Sequence, residues 1–200
     1  MVLRDSLFLV CFLATISTLA QTYNDIPDSL LIKEYDYFIE KLESPSHDPA
    51  KANVYGKAYL EKAKGEQNWE ETAAGFKALL HLSPTNKQLA YADSIIYASR
   101  KTNHNPTIAS SFLTRGIVYF NLKEHSKALD NFLVANNFLS KEHDDYLKNK
   151  VIYNIAKVKY LLGFYSEALS LFKRCTAYFK EEEDLAYLVS LHHLGLCYLK

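Results

Sequence analysis

Apolar positions recur with helical spacing from residue 28 to the end of the chain, and no segment alternates as a strand would. The pattern predicts helices over 28–43, 49–65, 69–82, 87–102, 107–121, 125–139, 145–162, 165–180 and 184–199. In "SKALDNFLVANNF" (126–138), Ala128, Phe132 and Ala135 fall on one side of a helix. Ala168, Phe172 and Cys175 repeat that arrangement in "SEALSLFKRCTAYF", an interval of 40 residues later. Stepping back by the same interval from Phe132 lands on Ala92 and Ala52, with Ile95 and Tyr55 as their companions three residues on.

A second set of helices lies between these. Gly116, Ala156 and Gly195 occupy matched places in "SSFLTRGIVYF", "KVIYNIAKVKYLL" and "LVSLHHLGLCYL", with Gly75 as a looser fourth member. Self-similarity at a fixed period means stacked helical hairpins. The small residues supply the reason: antiparallel helices approach closely where one presents Gly or Ala, and an aromatic from the neighbour fills the space. Burying Phe132 or Phe172 is worth ~1.5–3 kcal/mol. The connections fit this parsing. Pro106 suits a helix start, Asp28 or Ser29 is a candidate cap for the first helix, and Ser126 and Ser166 are candidate caps for theirs.

These residues resemble the tetratricopeptide repeat (TPR) family. The pattern of a bulky residue, Gly and Tyr on a first helix, then Ala, Phe and Ala on a second, is met by Phe112, Gly116, Tyr119, Ala128, Phe132 and Ala135. The next copy reads Ile152, Ala156, Lys159, Ala168, Phe172 and Cys175, departing from the pattern at Lys159 and Cys175. Leu191, Leu194, Gly195 and Tyr198 begin another. The resemblance is close over 107–199 and loose before it, and the period of 40 exceeds the family's ~34. It implies an all-α, right-handed superhelical solenoid of antiparallel helix hairpins. The expected organisation is a signal peptide (1–20), a linker and N-terminal helix (21–48), degenerate TPR-like helices (49–106) and TPR repeats (107–200), the last incomplete. Lys200 closes a first-type helix with no second-type partner, so a longer protein is expected, and a homodimer would also cover that face.

The resemblance further implies a concave groove lined by first-type helices and holding a protein or peptide partner. Its expected lining is Leu113, Ile117 and Phe120 with Ser110, then Lys150, Tyr153, Asn154, Lys157 and Tyr160, then His192 with Val189 and His193. Expected packing positions between helices are Gly116, Ala128, Phe132, Ala135, Ala156, Ala168, Phe172 and Gly195. TPR co-chaperones grip a terminal carboxylate with Lys, Asn and Arg at fixed groove positions. The corresponding residues here are Leu113, Ile117, Asn154, Val189 and His193, of which only Asn154 matches.

Composition narrows the function. Lys plus Arg number 23, as do Asp plus Glu, which argues against nucleic-acid binding by this segment. Histidines are scattered, and adjacent His192 and His193 point about 100° apart on a helix, unsuited to one metal ion. HExxH, CxxC, GxSxG and Gly-rich phosphate motifs are all absent from the sequence. The acidic run "KEEEDLAY" suits a solvated helix start. No catalysis, metal or cofactor is expected. Cys175 and Cys197 occupy apolar helical positions and are expected to pack rather than to pair.

The opening differs from the rest. Arg4 precedes an apolar, uncharged stretch from Leu7 to Ala20, which is shorter than the ~20 residues a membrane-spanning helix needs. Thr18 and Ala20 suit a cleavage site before Gln21. Export to the periplasm is therefore expected. This opening, together with "KAYLEKAK", "LAYADSIIYASRK" and "KALDNFL", resembles the N-terminal sensory half of Bacteroidetes-type TPR-containing AraC-family regulators. That resemblance implies attachment to a membrane only through a later part of the protein. A free-standing periplasmic TPR scaffold for envelope assembly is the alternative.

Overall fold

A computed structural model describes residues 26–44, 48–181 and 185–200; the expected signal peptide lies outside them. Among the described residues there are ten helices and no strand: α1 (Asp28–Leu31), α2 (Tyr35–Glu43), α3 (Pro49–Gly65), α4 (Trp69–Leu82), α5 (Thr85–Lys101), α6 (Asn105–Asn121), α7 (His125–Phe138), α8 (Asp145–Leu161), α9 (Tyr165–Glu181) and α10 (Leu185–Tyr198). From α2 onward each helix packs on the next in chain order. First-type helices also meet across a repeat, α6 against α8 and α8 against α10. This is the all-α solenoid of helix hairpins expected from the 40-residue period.

The repeated stripe is the core. Ala52, Ala92, Phe132 and Phe172 are each 0% exposed, and their companions Ile95, Ala135 and Cys175 are buried as well. Apolar clusters follow one another along the stack. Phe38, Ala58 and Tyr59 join α2 to α3; Ala73, Ala92 and Val118 join α4, α5 and α6. Phe112, Phe132 and Val151 bridge α6, α7 and α8, and Ala156, Phe172 and Cys197 connect α8, α9 and α10.

Helix ends depart from expectation in four places. The continuous helix expected over 28–43 is interrupted, because Glu34 is extended with ψ 158°. The break lets Leu30 of α1 and Phe38 of α2 reach one cluster with Tyr55 and Tyr59 of α3. Pro27, not Asp28 or Ser29, precedes the first turn, and no side chain caps it. Ser126 and Ser166 are not caps either: α7 starts at His125 and α9 at Tyr165, so each serine already lies inside its first turn. The helix starts that do carry a side-chain cap use Asp48, Asn68 and Asp144, each accepting a backbone N–H. Pro106 sits in the first turn of α6 as expected.

The turns after α6 and α8 share one construction. Lys123 (φ 61°) and Gly163 (φ 86°) are left-handed. Glu124 N donates to Tyr119 O, and Phe164 N donates to Lys159 O, at 2.9 Å each. These bonds close the helix ends and reverse the chain.

Candidate functional site

Residues from alternate helices line a shared hollow. A hollow of about 220 Å³ opens between α4, α6 and α8, with Leu80, Leu113, Ile117 and Val118 as its apolar wall. Lys77, His81, Asn121, Lys150 and Asn154 supply its polar side. A neighbouring hollow of about 360 Å³ lies between α2 and α4 and is lined mainly by Ile39, Leu42, Ala78 and Leu82. A third, toward the helix N-termini, is bordered by Glu70, Ser110 and Asp144.

The anticipated groove residues divide into groups. Leu113 is buried and contributes a wall, whereas Ile117 is 39% exposed and stands open to the groove. Lys150 and Asn154 line the same hollow; Asn154 Nδ2 donates to Lys150 O at 2.8 Å, which sets the amide's orientation. Phe120 and Lys157 are joined to each other, with the Lys157 amine 4.3 Å from the ring centroid. Tyr153 leans on Phe172, and Tyr160 on Tyr165.

His192 is placed elsewhere. It borders a separate hollow on the outer side of α10 with Leu188, Leu191 and Gly195. His193, one residue on and therefore turned by about 100°, faces the solenoid. It stacks on Phe172 and lies edge-on to Tyr153, whose Oη is 3.3 Å from Nδ1.

The packing positions are equally specific. A Cβ on Gly116 would come well under 3.0 Å from the ring of Phe132. Ala128, Phe132, Ala135, Ala156, Ala168 and Phe172 are all fully buried. Gly195 differs, being exposed with no atom within 4 Å of the place a Cβ would take. The neighbour that fills this space at Gly116 has no counterpart among the described residues.

Lys77 and His81 were missing from the expected lining. Arithmetic could have found the first: Lys77, Ile117 and Lys157 are spaced by 40 residues. Lys77 is exposed and lines the groove hollow. Burial, then the charge of Lys150, pushes its pKa down. Burial and then Lys77 push His81 down. Burial alone lowers Lys157. His193 is held down mainly by burial, against the opposing bond to Val189 O and with help from Lys157. Two amines from different helices, Lys77 and Lys150, thus line one hollow.

Cys175 and Cys197 are both buried free thiols. Burial pushes the Cys175 thiol up to about 12, far from a reactive thiolate. Among the described residues, no three His, Cys, Asp or Glu side chains are placed to hold a metal ion. Among the same residues, no helix is long and apolar enough to cross a membrane.

No protein-family model matches the chain, and no curated protein matches it. Similarity appears in solved structures. A crystal structure of a Gln-to-Met point variant of nearly identical TPR-like repeats, described as from a kinesin light chain of Podosopora anserina, superposes with TM-score 0.55 at 13% identity, covering 82% of this chain and 83% of that one. The same repeats without that substitution give TM-score 0.54 at 13% identity, with the same coverage. At this identity the likeness concerns the fold, which is TPR-like.

Proposed function

We propose that this chain is a non-catalytic protein–protein interaction module whose concave groove, between α4, α6 and α8, receives a segment of a protein partner. The observation that carries this reading is the convergence of Ile117, Lys77, Lys150 and Asn154 from three separate helices on one open hollow. An extended peptide or a single helix suits such a groove, because it meets apolar wall and polar donors together. We further propose that the module serves as the exported sensory region of a membrane-spanning transcriptional regulator. The support for this is sequence alone: Arg4, the apolar stretch Leu7–Ala20 and the polar residues after it.

Two measurements test the reading. A photo-crosslinking amino acid at position 117 or 154 should capture a partner protein in the native host, while one at Leu133, exposed on the second-type helix α7, should not. Capture from 133 alone would overturn the groove assignment. Fusion of residues 1–30 to alkaline phosphatase should yield periplasmic activity; activity confined to the cytoplasm would remove the exported role and leave the groove untouched.

A further inference from the structure

Three hollows meet at one side chain. Lys77 borders the hollow near the helix N-termini, the apolar hollow between α2 and α4, and the hollow between α4, α6 and α8. Among the described residues its amine forms no ion pair, and the charge that acts on it is that of Lys150. Lys150 has no carboxylate partner there either; its amine rests over the ring of Tyr146 at 5.0 Å. Carboxylates do stand at the rims. Asp144 is engaged by Leu147 N, and Glu70 faces the Thr107 hydroxyl at 3.4 Å. Glu43 borders the α2–α4 hollow, which Lys150 does not line.

Two like charges lining one hollow repel each other unless a negative group joins them. A stretch of such surface is complementary to an anion. The wall beside the amines is apolar, through Leu80, Leu113, Ile117 and Val118, and the chain has no excess of basic residues overall. A nucleic acid calls for a long row of cations tracking phosphates, which two amines between apolar walls do not provide. A peptide that alternates carboxylates with apolar side chains matches both features.

We propose that the groove selects an acidic segment of a partner protein, one carboxylate bridging Lys77 and Lys150 and an adjacent apolar side chain entering the hollow formed by Ile39, Leu42, Ala78 and Leu82. This inference rests on the groove being a peptide site, and adds the chemistry of the peptide. The Lys77–Lys150 pair does not use the positions by which TPR co-chaperones grip a terminal carboxylate, where only Asn154 corresponds.

The test uses the whole chain and two fluorescein-labelled octapeptides, one of Asp and Glu around a central Leu, the other its Asn and Gln counterpart. Fluorescence anisotropy at low salt should show the acidic peptide binding at least about tenfold more tightly, as expected for gain of a charge-assisted bond. Lys77→Ala and Lys150→Ala should each weaken it about tenfold, with Lys77→Arg and Lys150→Arg restoring most of the loss. Far-UV circular dichroism of every variant checks that the helices remain. Equal binding of the two peptides, or indifference to both alanine variants, overturns the inference, as does a twelve-nucleotide oligothymidine binding through the same lysines as tightly as the acidic peptide. Ile117→Arg separates the two levels. If it blocks peptide binding while the lysine variants do not, only the charge selection falls; if peptides bind regardless of it, the groove reading falls too.

Discussion

The ring of Phe132 occupies the space that a side chain on Gly116 would need. A Cβ there would come well under 3.0 Å from the ring, and Phe132, 0% exposed, has nowhere to move. The pairing of α6 with α7 turns on this contact between a missing methyl and an aromatic ring.

Gly116→Ala should therefore cost ~1–3 kcal/mol through overpacking, despite alanine's better helix propensity. Phe132→Ala should cost roughly 3–5 kcal/mol through the cavity it leaves. Gly116→Ala combined with Phe132→Leu should cost less than the sum, which urea denaturation of the four members of the cycle would show. Strict additivity would mean that the two residues do not act on each other.

Lys123 and Gly163 hold the same left-handed place in successive turns, at φ 61° and 86°. Only glycine adopts this conformation without a Cβ penalty. Lys123→Gly should stabilise the protein by ~0.5–1 kcal/mol, and Gly163→Ala should destabilise it by about 1 kcal/mol. Thermal midpoints moving in opposite directions would confirm the pair of effects.

Arg115 ties three helices together. Its Nε donates to Asn131 Oδ1 at 2.7 Å, a terminal nitrogen donates to Asp93 Oδ1 at 2.9 Å, and the guanidinium lies over Phe112. Asn131 is buried and Asp93 is 65% exposed. Arg115→Met should cost ~1–3 kcal/mol because it leaves the Asn131 oxygen unpaired. Asp93→Asn should cost less than about 1 kcal/mol, as exposed ion pairs do. Denaturant midpoints of the two variants would rank them.

His81 and His193 both have folded-state pKa values below the ordinary 6.5, chiefly through burial. The unfolded chain then binds protons more readily than the folded one. Their contribution is complete above the ordinary value and is lost as pH falls below it. Stability should drop between pH 7 and 5, before the lowered Glu66 begins to titrate. His193→Gln should flatten that drop in urea midpoints measured across the interval, and an unchanged slope would count against the assignment.

That Ile117, Lys150 and Asn154 would line one hollow was legible from sequence, because the first-type helices repeat at a fixed interval. Lys77 was within reach, one interval before Ile117, but the weak pattern before residue 107 hid it. His192 and His193 could not be told apart, since one helical step of about 100° depends on how α10 is rotated against Phe172. The interruption at Glu34 was hidden for a similar reason: nothing in 28–43 breaks the helical spacing, and it is the packing of Leu30 and Phe38 on α3 that bends the chain.

The sequence by itself determined the helices, the hairpin pairing and the 40-residue stack, because those follow from small and aromatic residues that must recur wherever two helices touch. Only the tertiary structure decided which charges meet. Lys77 and Lys150 lie 73 positions apart, on helices two repeats apart with α6 between them. Local spacing says which face each occupies, whereas the curvature that brings those faces to one hollow is the summed geometry of every helix contact between them.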